Sequence, residues 1–185
     1  MTRCMTDTRV GTGGVSITGL ILAKAAGATT IVTSSSDEKL RVAREKYGAD
    51  FTINYNKEKN WGSKVLNITG GQGADYVFEN GGAGTIEQSF IAMAYGGNIS
   101  VIGFLAKVEG KMPDIAALAL SKGANVRGIM AGSREQLQQA VRFITTRKLQ
   151  VPVEREFGFH RDDVVAAFEY LQSGQHIGKI CINVA

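Results

Sequence analysis

Short β-branched runs alternate with amphipathic runs along this chain, and glycines punctuate the joins. Residues 29–33, 51–54, 75–79, 97–104 and 126–130 have the composition of buried strands. An apolar segment at 17–27 follows a glycine cluster and reads as the first helix. Ser35-Ser36-Asp37-Glu38 reads as a capping box that starts a helix with Leu40, Ala43 and Tyr47 on one face. Val65 and Leu66 fall in a short helix, and 86–95 forms another. A helix over 133–148 carries Leu137, Val141 and Ile144 on one side. The tail then changes character: 151–159 is extended, Val164, Phe168 and Leu171 mark a helix, and 178–184 is a strand. Gly27, Gly48, Gly70-Gly71, Gly81-Gly82, Gly96-Gly97, Gly123 and Gly174 punctuate the sequence, most of them where a helical pattern stops, the place favoured for left-handed C-caps. The alternation predicts an α/β fold with a doubly wound parallel sheet.

The glycine cluster adds chemistry to this outline. In Gly11-Thr12-Gly13-Gly14-Val15-Ser16 the first glycine makes a tight turn, and the next pair lets backbone amides and a helix N-terminus approach a pyrophosphate. The position where a further glycine would permit close helix–strand packing is Ser16, small enough to serve. A strand follows and ends in Thr33-Ser34-Ser35-Ser36, with Lys39 and Arg41 close behind, at about the spacing of 20 residues that a dinucleotide fold uses for ribose recognition. An NAD site places a carboxylate there, whereas hydroxyls and cations accept a 2′-phosphate, so NADP is preferred over NAD. The serines also suit helix capping, and Ser35 can do both. The turn makes 1–132 a Rossmann, NAD(P)-binding domain. Its first strand is degenerate: Thr6-Asp7-Thr8-Arg9-Val10 is polar where the central strand of a 3-2-1-4-5-6 sheet should be apolar. Either an improvised strand fills the gap or the sheet is weakened there.

Composition narrows the partners. Of 185 residues, 44% are hydrophobic, enough for one sizeable core, and the net charge of +4 is mild. The basic stretch from Lys39 to Lys64 is diluted by Glu45, Asp50 and Glu58 and lacks interleaved aromatics, which disfavours nucleic acid. No long apolar run suits a membrane span, and the opening residues have no signal-peptide stretch. Cys4 and Cys181, at opposite ends, read as free thiols in the cytoplasm. The soft ligands Cys4, His160, His176 and Cys181 are dispersed, so no zinc is expected. Tyr55 and Lys59 match a Tyr-x-x-x-Lys pair by chance, in a loop too early for a short-chain dehydrogenase. A methyltransferase would want an acid where Ser34 and Ser35 stand.

Several stretches in order carry a resemblance: GTGGVS, AKAAGATTIVTSSSDEKL, YGADFTINY, GGQGADYVFENGG, GGNISVIGF, Gly132-Ser133-Arg134 and HIGKICI. From residue 11 onward the chain resembles the medium-chain dehydrogenase/reductase superfamily, the zinc-type alcohol dehydrogenases and quinone reductases. The resemblance implies an NADP(H)-dependent oxidoreductase that passes hydride between nicotinamide and a small alcohol, carbonyl or enone. It implies cofactor contacts at Gly11, Gly13, Gly14 and Val15, at the 2′-phosphate residues Ser34, Ser35 and Lys39, at Asn80 and Gly81, and at Gly103 and Phe104, with Arg134 and Lys179 reaching the phosphates. It further implies that 133–185 is a remnant of a split catalytic domain whose N-terminal part this chain lacks. No catalytic residue is therefore assigned, and the substrate is unknown. The other reading is a non-catalytic nucleotide-binding module or an inactive truncated product. Unpaired strand edges predict a homodimer or self-association.

Overall fold

In a computed structural model that describes residues 4–8, 12–106 and 112–184, the chain forms a six-stranded sheet in the order β3-β2-β1-β4-β5-β6, all pairs parallel. The strands are β1 (Cys4–Thr8), β2 (Thr29–Ser34), β3 (Phe51–Asn54), β4 (Ala74–Glu79), β5 (Met93–Val101) and β6 (Asn125–Gly128). The connecting helices are α1 (Gly14–Ala25), α2 (Asp37–Glu45), α3 (Trp61–Ile68), α4 (Ile86–Ala92) and α5 (Ile115–Lys122). After them come α6 (Arg134–Thr146), β7 (Val153–Phe157), α7 (Arg161–Ser173) and β8 (Lys179–Ile182), with β7 and β8 paired as a separate two-stranded parallel sheet. The doubly wound α/β architecture read from the alternation is present.

Burial explains why the sheet carries helices on both faces. Neighbouring residues of a strand point to opposite sides. Ile31 packs with Ile53, Trp61, Val65, Val77, Phe90 and Ile99 in one core, on the α3–α4 side. Its neighbour Val32 packs with Ile17, Leu20, Leu40 and Ala43 in the other, on the α1–α2 side. Continuous burial along most of β2 is the pattern of a strand covered on both faces.

The first strand resolves the conflict between a polar sequence and a central position. Cys4–Thr8 pairs in register with both neighbours, Thr6 opposite Ile31 on one side and Val77 on the other. A ladder is made by backbone groups, so a polar segment with β2 and β4 waiting on either side satisfies its hydrogen bonds regardless of side-chain type. The improvised strand fills the gap, and it lies earlier in the chain than residues 6–10.

Three further differences are local. The cap of α2 is Ser36, whose hydroxyl accepts from the Lys39 amide at 3.4 Å, so no box forms between Ser35 and Glu38. The helix expected over 86–95 stops at Ala92, because Met93 turns extended and pairs with Ala74. The pairing then jumps to Tyr76↔Asn98 across Gly96, which has φ 71°, so the glycine pair is absorbed as an irregularity within β5. Helix α5 was not legible in the pattern; the Asp114 carboxylate caps it by accepting from the Ala117 amide, and Gly123 closes it in the left-handed conformation. By contrast, α6 starts on a full capping box between Ser133 and Gln136.

Candidate cofactor site

The carboxyl ends of β1 and β4 adjoin, and their following helices lie on opposite faces of the sheet. This is the switch point at which open α/β sheets bind ligands. The described members of the glycine turn open here. Gly13 is the N-cap of α1, its carbonyl accepting from the Ile17 amide at 3.0 Å, and Gly14 begins the helix. Thr12 and Ser16 are buried, and Val15 is exposed on the first turn. Gly11 lies outside the described residues. Ser16 stands where close packing was anticipated, within 3.4 Å of the Asn80 amide group, which donates to it and ties α1 to the β4 end. Close helix–strand approach falls one turn further on, where a Cβ on Gly19 would stand 3.1 Å from the Phe78 ring.

The C-terminal segment crosses this turn. The Gly178 amide donates to the Thr12 carbonyl at 2.8 Å, and Gly13 and Gly178 form a parallel bridge. The Lys179 side chain then lies directly over Gly14: a Cβ there would meet its Cδ at 2.5 Å and its Nζ at 2.9 Å. A side chain at residue 14 would push this flexible ammonium away from the helix N-terminus. A cation at the positive end of a helix dipole is unfavourable by itself. It is favourable once an anion lies between the two. The cradle therefore fits a dinucleotide pyrophosphate.

At the end of β2, Ser34 is buried and Ser35 exposed. Lys39 reaches away from helix α2 to the C-terminal loop, donating to the carbonyls of Gly174 at 2.5 Å and His176 at 3.1 Å. An ammonium has three donors, so one remains for a phosphate. Burial lowers the pKa of this ammonium, against the pull of the Glu154 carboxylate. Glu154 also accepts from the Ile177 amide and the Tyr170 hydroxyl, so the loop is anchored from β7 as well. The His176 ring lies edge-on to Tyr170, its Nδ1 buried without a hydrogen-bond partner among the described residues. Of the other cations here, Arg41 pairs with Glu38 and Glu45, and Lys57 with Asp37.

The opposite half of the site lies at the ends of β4 and β5. Asn80 and Gly81 are buried in the loop after β4. The Asn80 carbonyl accepts from the Leu105 amide at 3.1 Å, and that of Gly81 from Ala106 at 3.0 Å. Gly103 follows β5, where a Cβ would stand 2.7 Å from the Asn80 oxygen, and Phe104 is exposed beside Gly82. Arg134, exposed in the first turn of α6, makes no hydrogen bond or ion pair to these residues among those described. The structure thus brings Gly13, Gly14, Lys179 and Asn80 around the switch point, with Ser34 and Lys39 on its β2 side.

Two contributors escaped the sequence reading. The bridge from Gly178 to the glycine turn joins residues far apart in the chain and leaves no local signal. Glu79 is a fully buried acid at the end of β4, and its mark in the sequence is a carboxylate that closes the strand just after Val77 and Phe78 and is followed by Gly81, Gly82, Thr85 and Ser89.

A zinc site would need three converging ligands. No group of three His, Cys, Asp or Glu side chains among the described residues could hold a metal ion, so these residues do not fit one. His160 is exposed at the N-cap of α7, and Cys181 is a free, half-buried thiol. No helix among the described residues is long and apolar enough to cross a membrane.

Comparison with known proteins agrees with this geometry. A zinc-type alcohol dehydrogenase-like protein of Schizosaccharomyces pombe is 43% identical over 178 residues, covering 95% of this chain and 50% of that protein. A structure from Sinorhizobium meliloti assigned as an alcohol dehydrogenase superposes with a TM-score of 0.85 at 37% identity, over 98% of this chain and 51% of that one. An NAD-dependent alcohol dehydrogenase superposes with a TM-score of 0.83 at 29% identity, over all of this chain and 51% of that one. The chain spans about half the length of these relatives. Residues 14–146, which run from the first helical glycine through α6, match the zinc-binding dehydrogenase family, and the chain belongs to that family, within the medium-chain dehydrogenase/reductases.

Proposed function

We propose that this chain binds NADP(H) along the carboxyl edge of its six-stranded sheet and serves an alcohol dehydrogenase-like oxidoreductase. The reaction passes hydride between the nicotinamide and a small alcohol, carbonyl or enone. The observation that carries the reading is the Gly13–Gly14 helix start with the Lys179 side chain held against it, at the β1/β4 switch point. Backbone amides of the turn and Lys179 hold the pyrophosphate, while Ser34, Ser35 and Lys39 meet the adenosine ribose and its 2′-phosphate. Asn80, Gly81, Gly103 and Phe104 bound the nicotinamide half. The bound nicotinamide supplies the redox chemistry, and the protein's part is to orient it and exclude water.

The preference for NADP rests on Ser34, a hydroxyl at the end of β2 where an NAD site carries a carboxylate, and on the free donor of Lys39. The separate β7–β8 sheet supports a division into 1–132 and 133–185. Edge strand β6, with Met130 fully exposed beyond it, supports self-association, and the free thiol of Cys181 accords with a reducing cytoplasm.

Calorimetry with NADPH and NADH tests the reading. Saturable binding, tighter for NADPH, is expected; no heat with either ligand overturns it, and equal affinity overturns the NADP preference. Turnover of NADPH with a panel of aldehydes and quinones separates an active oxidoreductase from a binding module without catalysis.

A further inference from the structure

We propose that Glu79 is a positioning residue that holds the nicotinamide half of the site in its binding conformation. The inference rests on the dinucleotide reading above. Glu79 closes β4 beside the switch point, with 0% of its surface exposed. Its Oε1 accepts from the Gly81 amide at 2.8 Å, the Gly82 amide at 3.0 Å and the Thr85 hydroxyl at 2.6 Å. The Ser89 hydroxyl donates to Oε2. The same residue's backbone carbonyl accepts from the amides of Ile102 at 2.8 Å and Gly103 at 3.3 Å. One residue thereby gathers both loops that flank the switch point, the side chain holding the turn after β4 and the carbonyl holding the turn after β5.

A core position alone does not explain this choice. Burying a carboxylate is expensive, and none of the ion pairs among the described residues involves Glu79. An apolar side chain of similar volume would pack at lower cost, but it would leave the Gly81 and Gly82 amides buried without acceptors. The turn they belong to is one the chain does not adopt freely. Gly82 sits at φ 71°, and a Cβ on Gly81 would stand 2.1 Å from the Thr85 hydroxyl oxygen. The carboxylate holds a tight backbone turn that places Asn80 between Ser16 of α1 and Gly103.

In a doubly wound sheet each half holds one mononucleotide. The β1–β3 half, ending in Ser34, takes the adenosine, and the β4–β6 half takes the nicotinamide. Glu79 therefore acts on one half only, and a fragment that fills the other half reports its absence. The test titrates NADPH and 2′,5′-ADP into wild type, Glu79→Ala and Glu79→Gln, with binding read by calorimetry and by the fluorescence of bound NADPH. Glu79→Ala should weaken NADPH about tenfold or more, the effect of leaving buried amides unpaired, while 2′,5′-ADP stays within about twofold. Glu79→Gln should restore NADPH binding, because its carbonyl keeps the Oε1 contacts and its amide group can donate to Ser89.

Equal weakening of both ligands by Glu79→Ala marks a general folding role and overturns the proposal, as does no weakening of either. Failure of Glu79→Gln to rescue also overturns it, since charge rather than acceptor geometry would then matter. If Glu79→Ala does not fold, Thr85→Val removes one donor and should show the same selective loss; unchanged NADPH binding in that variant counts against the proposal. Wild type that binds neither ligand instead defeats the dinucleotide reading on which it stands.

Discussion

Replacing Lys179 with methionine should weaken NADPH binding without destabilising the protein. The side chain lies against Gly14 at the start of α1, close enough that a Cβ there would meet its Nζ at 2.9 Å. Without ligand, the ammonium faces the positive end of a helix dipole, an interaction worth about 0.3–1 kcal/mol at an exposed site. With a pyrophosphate bound, the same ammonium makes a charge-assisted hydrogen bond, worth about 1.5–3 kcal/mol when desolvated. Lys179 is exposed, so the lower end applies after screening, about 1–1.5 kcal/mol or close to a tenfold change in Kd. The backbone of Lys179 keeps its bond to the Pro152 carbonyl, and methionine fills the stem, so the strand itself is not disturbed. Lys179→Met should therefore bind NADPH about tenfold more weakly, with a deficit that shrinks in high salt. The unliganded protein should be unchanged in stability or more stable by a few tenths of a kcal/mol in urea titration. Wild-type affinity in the variant, or a loss of more than about 1 kcal/mol of stability, would refute this reasoning.

Other expectations follow from the same geometry. Lys39→Met removes both bonds to the 174–176 loop, so the Gly178 amide should exchange faster, and the preference for NADP over NAD should fall about tenfold for one lost phosphate contact. An unchanged NADP/NAD ratio would remove Lys39 from the phosphate site. Phe90 is among the largest fully packed side chains of the α3–α4 core, and Phe90→Ala should cost about 3–5 kcal/mol in urea unfolding, read as a lower midpoint at an unchanged m-value. Burial raises the pKa of Asp50, but bonds from Lys24 and from the Thr30 amide and hydroxyl outweigh it and hold the carboxyl below its ordinary 3.8. A depressed pKa in the folded state contributes stability above the unfolded value and loses it as pH falls through the folded one. Acid titration of wild type should therefore show a loss of stability below 3.8 that is smaller in Asp50→Asn.

Much of the architecture was legible because it follows from local rules. Strand β3 falls on the four residues its composition marks, and α6 begins within a residue of the helix expected over 133–148. Capping and strand composition act within a few residues and need no distant partner. Where the reading slipped, a distant partner decided. Met93 to Tyr95 continue a helical pattern, yet Ala74 captures Met93 into the sheet. Helix α5 is the exception: it has no sharp apolar stripe to read, and its own local caps, Asp114 and Gly123, define it.

The sequence by itself determined the class of fold, the glycine turn at a helix start and the hydroxyl-rich end of β2. These depend on which residues lie near one another along the chain. Only the tertiary structure decided that a polar segment, Cys4–Thr8, takes the central strand, because backbone ladders from β2 and β4 accept any side chains between them. It alone placed Lys179 over Gly14 and tied Lys39 to the Gly174–His176 loop, contacts between residues more than a hundred positions apart. It also turned Glu79 from an odd acid at the end of a strand into the acceptor for two turns. A carboxylate is held in a core only where donors converge on it, and that convergence exists once the chain has folded.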